Sequence, residues 1–268
     1  MTTTATHLDR HSPSPYRITP ARILRSEWHK LRSLRSSWVT LASASALILA
    51  IGLLMGITYT SNGGDSDVDT VVLVLYGSLL AIPCIAVLGI LMTAGEYATG
   101  MIRASLTAVP RRLPVLWAKA AVLAATVFST MLVTSLLTFV LAQIWLQDTD
   151  QAASLSDPGV IGAIVGTAVG ITLLSLIALG LGALIRSVPG AIGAYIGGVL
   201  IVPQILAALP YEVLKSAVAY FPTQAAAALG TATPSADDAT TTGALLALGL
   251  WSSAILGCAA LLLRRRDA

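Results

Sequence analysis

Few residues in this chain could do chemistry, and several of them lie in the longest charged interval between apolar runs. From Gly95 to Lys119 the sequence reads GEYATGMIRASLTAVPRRLPVLWAK and holds Glu96, Arg103, Arg111, Arg112 and Lys119, with Pro110 and Pro114 as breakers. Read as a helix, it places Glu96, Thr99, Arg103 and Thr107 on one polar stripe. Tyr97, Met101, Ala104 and Ala108 form an apolar stripe beside it. Such a helix would lie in the membrane surface with its polar face toward the cytoplasm, and Pro110 would end it. The chemistry on offer is charge-based docking of a cytoplasmic partner. The plainer alternative is a solvated basic loop that only sets topology.

A second charged group lies at residues 21–36, ARILRSEWHKLRSLRS. Leu24, Trp28, Leu31 and Leu34 share one side, and Arg22, Arg25, His29 and Arg32 lie largely opposite. This spacing predicts an amphipathic helix in an anionic inner leaflet, with Trp28 at headgroup depth. Glu27 and Lys30 flank its apolar side and spoil the pattern.

Bond-making chemistry is excluded on several counts. The histidines, His7, His11 and His29, are all N-terminal and lack the H-E-x-x-H spacing of a metalloprotease. No G-x-S-x-G elbow occurs. No Gly-rich phosphate loop ends at Lys30, Lys119 or Lys215, so the chain has no P-loop with which to bind ATP. Cys84 and Cys258 both lie in apolar runs, which rules out a disulfide framework and a Cys-based zinc site.

The elements that must position these charges are membrane spans. Of the 268 residues, 56% are apolar and 11% charged, with mean hydropathy +0.82, whereas soluble domains carry about 25% charged residues. Residues 1–20 are polar, rich in Thr, Ser and Pro, with no apolar h-region, and read as a flexible cytoplasmic tail. Six runs meet the requirement of about 20 apolar residues: 38–59, 71–93, 114–145, 159–185, 189–209 and 242–263. With both termini inside, fifteen of the sixteen Lys and Arg residues are cytoplasmic and only Lys215 is outside, which fixes N-in and C-in. Nine of the thirteen acidic residues then fall outside.

Between spans five and six, residues 210–241 carry Val213, Leu214, Ala217, Val218 and Phe221 on one face. The run is too short and too charged to cross, and it reads as a re-entrant or surface-lying helix ending at Pro222. Gly162, Gly166 and Gly170 in span four, and Gly193 and Gly197 in span five, have the spacing of close helix packing, within one bundle or at a dimer seam. The middles of all six spans carry no ionisable residue, although such a residue usually marks an ion or substrate path. This argues against a proton- or sodium-driven carrier. Lys119, near the end of span three, is expected to snorkel to the surface. Pro83 and Pro203 could kink their spans.

Three stretches carry a family likeness. SEWHKLRSLRSSW (Ser26–Trp38) resembles the amphipathic leading helix of bacterial ABC-2-type transporter permeases, especially the compact actinobacterial kind. EYATGMIRASLTAVPRR (Glu96–Arg112) resembles their segment after the second span. AYFPTQAAAAL (Ala219–Leu229) is similar to their re-entrant stretch before the last span.

The resemblance implies an all-α membrane protein with six transmembrane helices, a cytoplasmic tail (1–20), a leading amphipathic helix (21–36), and a permease domain (37–266) with an interfacial coupling helix after span two. It implies that two permease chains, identical or homologous, work with two cytoplasmic ABC ATPase subunits. ATP and Mg would be bound by the ATPase, and no cofactor by this chain. Glu96, Tyr97, Gly100, Arg103, Pro110 and Arg111 would belong to the coupling element, and Glu27, Trp28 and Lys30 to the leading helix. The expected function is export of a hydrophobic or amphipathic cargo across a bacterial plasma membrane, with membrane lipids but no nucleic acid as further partners. The alternatives are a non-transporting scaffold or sensor subunit and a small secondary carrier.

Overall fold

The computed structural model describes residues 19–59, 68–100, 112–211, 216–233 and 239–265. The described residues are helical, without strands. Helix α1 (Pro20–Ser33) leads into α2 (Arg35–Thr58); α3 (Thr70–Val74) precedes α4 (Ser78–Ala98); α5 is Arg112–Leu146 and α6 is Val160–Ile185. The fifth span is α7 (Val188–Tyr195), a π-helical segment Ile196–Ile201, and α8 (Val202–Ala207). A short α9 (Pro222–Leu229) precedes α10 (Thr241–Arg265). Six of these helical units are long and apolar enough to cross a membrane. Trp38 and Trp117 at one end of the bundle, and Trp145 at the other, keep exposed rings, the placement expected of interfacial tryptophans.

Helix α6 is the axis. Two thirds of its span window is buried (67%), against 22% for the fifth span and 28% for the first and sixth. Its small residues let neighbours close in. A side chain at Gly166 would strike the Leu229 carbonyl, and one at Gly170 would crowd Ala226, so part of the span-four glycine repeat seats α9 within the chain. A Cβ added at Gly193 or Gly197 of the fifth span would meet nothing within 4 Å outside its own helix.

The second span differs from the expected 71–93. Asp69 caps α3, its Oδ1 accepting from the Val71 and Val72 N–H groups at 2.8 and 3.2 Å, and the chain turns over Leu75–Gly77 before α4 begins at Ser78. Gly77 lies against α2, where a Cβ would meet the Leu47 carbonyl at 2.5 Å. The span therefore starts later and runs on to Ala98, and Glu96 and Tyr97 become its last turn rather than part of a separate surface helix.

The fifth span is interrupted. Pro203 has no N–H to offer Val199 four residues back, and the Val199 carbonyl instead accepts from Thr223 Oγ1 of α9 at 3.2 Å. The expected helix ending at Pro222 is also corrected. Residues 216–218 are helical, but Pro222 opens α9 rather than closing a helix, which suits a residue that lacks a donor the first turn does not need. Trp251 Nε1 donates to the Tyr220 carbonyl at 3.2 Å, and Asp69 Oδ2 accepts from the Ala232 and Thr233 N–H groups at 2.7 Å each. These bonds hold the α9 region to α10 and α3 at the end of the bundle opposite Glu96.

Candidate functional site

At the Glu96 end, three elements contribute one charge or more to a common knot. Helix α1 turns Ile23, Glu27 and Leu31 inward, one residue per turn. Ile23 packs on Val115 and Ala118 of α5. This inward face shares only Leu31 with the Leu24–Trp28–Leu31–Leu34 stripe; Leu24, Trp28 and Leu34 are exposed on the outside of the bundle, Trp28 at 43%. The reason is Glu27, which is drawn inward because its counter-charge is inside.

That counter-charge is Lys119, two turns into α5 and 4% exposed. Its Nζ contacts Glu27 Oε2 at 2.7 Å and Glu96 Oε1 at 2.7 Å. Lys30 completes the cluster, 2.7 Å from Glu27 Oε1 and 3.0 Å from Glu96 Oε1. Glu27 and Glu96 are 2% and 5% exposed. Lys119 therefore does not snorkel; it is buried and doubly paired. A lysine standing alone in an apolar run must either reach water or find an acid, and two acids lie within reach.

Burial acts to lower the Lys30 pKa, but the Glu27 hydrogen bond and the Glu27 and Glu96 charges outweigh it and hold the ammonium above its ordinary value of 10.5. The cluster is formally neutral, two carboxylates against two ammoniums. Each buried ion still costs several kcal/mol to desolvate, a cost that only multiple short contacts can offset. One acceptor is left over: Glu96 Oε2 is buried with no hydrogen-bond partner.

The expected polar stripe from Glu96 to Thr107 does not form as one helix. Helix α4 stops at Ala98, Thr99 is its cap, and Gly100 takes a left-handed φ of 72°, the conformation that commonly closes helices. Glu96 consequently points into the bundle rather than toward the cytoplasm. Tyr97 lies under the Arg186 guanidinium, 5.0 Å from ring centroid to Cζ, within cation–π range. Arg186 itself is left-handed (φ 59°) at the turn between α6 and α7. Arg103, Pro110 and Arg111 lie outside the described residues.

Of the predicted site residues, Glu27, Lys30 and Glu96 thus meet in one cluster, Tyr97 joins a second contact beside it, Gly100 ends a helix, and Trp28 stays at the surface. Lys119 was missed as a site residue. Its signal was available: it is an isolated charge seven residues inside an apolar helix.

The arrangement defines a class: a multi-pass helical membrane protein whose first helix is clamped, through buried ions, to the ends of two spans. The family described as ABC-2 family transporter protein matches residues 23–202, well over half of the chain, and the chain belongs to it. The protein is accordingly a transmembrane component of a transport system and not itself the catalytic part. No curated protein and no solved structure matches it.

Proposed function

We propose that this chain is the permease of an ATP-driven exporter, powered by a separate cytoplasmic ATPase that grips the Glu96 end of the bundle. The observation that carries the reading is the ionic knot. Glu27 and Lys30 of α1, Glu96 of α4 and Lys119 of α5 are tied within 3.0 Å of one another in pairs. A force on α1 is therefore delivered to two spans at once. Charges so buried move together, because separating them would strand a bare ion.

In this reading α1 and the segment from Tyr97 through Arg103, Pro110 and Arg111 meet the ATPase, with the α6–α7 turn joined through Arg186. ATP and Mg stay on the ATPase. Closure of two ATPases around two permease chains rocks the spans between inward-open and outward-open arrangements, since packed helices switch between discrete states rather than bend. The span middles carry no charged residue, which suits a hydrophobic or amphipathic cargo. The lysine and arginine bias supports a topology with both chain ends on the cytoplasmic side of a bacterial plasma membrane.

Co-purification of the tagged chain with the ATPase encoded beside it tests this reading. A stable complex that survives detergent extraction and hydrolyses ATP supports it. Recovery of the chain alone, or solute movement by the chain in vesicles without any ATPase, contradicts it.

A further inference from the structure

A cavity of about 410 Å³ lies at the end of the bundle opposite Glu96, walled by α3, the start of α4, α6, the interrupted fifth span and α9. Its size is that of a ligand site, about 300–1,000 Å³. Its apolar wall is Val72, Leu75, Leu79, Ile82, Ile171 and Leu200. Ile171 lies roughly 16 Å along α6 from its start at Val160, so the cavity reaches well into the bundle. Tyr76 and Leu79 line it and are 54% and 51% exposed, so it also opens at the surface.

The polar groups around it are of two kinds. Three threonine hydroxyls donate to backbone carbonyls: Thr167 to Ala163, Thr223 to Val199 and Thr231 to Ala228. Ser78, Gln204 and Gln224 line the cavity and make no hydrogen bond to any described residue. Ser78 and Gln224 are only half-buried and their polar atoms keep open surface; Gln204 is exposed. Two amides and a hydroxyl, each able both to donate and to accept, are thus left open beside an apolar wall. No charged side chain lines the cavity among the described residues.

We infer that this cavity is a cargo site for an uncharged amphiphile whose head carries several hydroxyls, as a glycolipid does, with the head on Ser78, Gln204 and Gln224 and the tail along the apolar wall. The inference rests on the transport reading above and narrows its cargo. An ion placed here would lose water and gain no counter-charge. A bare hydrocarbon would cover the two amides and the hydroxyl without replacing their bonds to water, a loss that a hydroxylated head avoids. The amides sit on different elements, α8 and α9, which the Thr223–Val199 bond ties together at 3.2 Å. Movement of the fifth span changes the spacing of the two amides, and with it the fit of the head.

The test is binding to the purified full chain in phosphatidylcholine nanodiscs doped with one probe at a time: glucosyl diacylglycerol, its permethylated form, plain diacylglycerol or phosphatidylglycerol. Native mass spectrometry reads the retained probe, and ATP hydrolysis by the reconstituted chain–ATPase complex reads cargo behaviour. Permethylation removes the hydroxyl donors and keeps the ring and tails. Phosphatidylglycerol keeps hydroxyls and adds a charge. The expected result is that glucosyl diacylglycerol is retained about tenfold more than the other three and raises hydrolysis by the complex.

Gln204→Leu and Gln224→Leu should each lower retention of glucosyl diacylglycerol about 2–10-fold and leave that of plain diacylglycerol unchanged. If Gln224→Leu fails to fold, Gln204→Leu, at an exposed position, and the wild-type series still decide. Equal retention of the glucosyl and permethylated probes would overturn the site. So would equal retention of phosphatidylglycerol, or undiminished retention in Gln204→Leu. Selective retention without any change in hydrolysis would make the occupant a resident lipid and overturn the cargo assignment. Failure of the transport reading shows separately, as the absence of a chain–ATPase complex while the chain alone still retains the probe.

Discussion

Replacing Lys119 by methionine removes the one ammonium that bonds both buried carboxylates at 2.7 Å. Glu27 and Glu96 would then share only Lys30, whose side chain is 30% exposed and whose contact with Glu96 is the longest of the four. Breaking a buried ion pair from one side costs about 3–5 kcal/mol, because the surviving charge is left in a poor dielectric. For a chain of this size that corresponds to a fall in unfolding midpoint on the order of 10 °C. The double variant Lys119→Met with Glu96→Gln removes both ends of the pair and leaves Glu27 with Lys30. It should recover most of the loss, since an apolar or neutral replacement of a whole buried pair is often close to neutral. Unfolding in mild detergent, followed by intrinsic tryptophan fluorescence, reads all four corners of the cycle. A Lys119→Met cost below about 1 kcal/mol would refute the reasoning, as would a double variant whose loss equals the sum of the singles.

Four further expectations follow from the structure. Lys30→Ala should cost much less than Lys119→Met, about 1 kcal/mol, because the exposed part of the side chain is screened by solvent; the same unfolding assay compares them. Since the folded Lys30 pKa lies above 10.5, its contribution is complete below that pH and is lost only as pH rises through the higher folded value. The wild-type minus Lys30→Ala difference in midpoint should thus be flat from pH 6 to 9 and shrink above about 10.5. Thr223→Val strips the Val199 carbonyl of its donor beside Pro203 and should cost about 1–3 kcal/mol, with faster amide exchange confined to the fifth span and α9. Gly166→Leu drives a side chain into the Leu229 carbonyl and should unseat α9, read as new protease cleavage within residues 222–229.

Six spans were legible in the sequence because each is a long apolar run, and bilayer thickness sets its length. The start of span two was not legible. Hydropathy does not see the Asp69 cap, which is a local side-chain bond, or the Gly77 turn, which packs against Leu47 of the preceding span. The inward turn of Glu27 was not legible for a similar reason: periodicity places it beside the apolar side of α1 and says nothing of its counter-charge. Lys119 lies 92 residues away in the chain, a distance that no local pattern spans. Gly100 was singled out only through the family resemblance, and its left-handed φ, which ends α4 and breaks the expected stripe, is a backbone fact. The Tyr97–Arg186 contact was hidden because it joins two segments that the sequence named separately.

ATP hydrolysis by the reconstituted complex tests the central claim most directly. The partner ATPase is measured alone, with the wild-type chain, and with the Glu96→Gln chain, at matched complex content. The knot predicts that the wild-type chain raises hydrolysis above that of the free ATPase, and that Glu96→Gln leaves the ATPase bound while returning its rate toward the free value. Full stimulation by the Glu96→Gln chain, or no stimulation by the wild type, would contradict a drive that enters the bundle through these four paired charges.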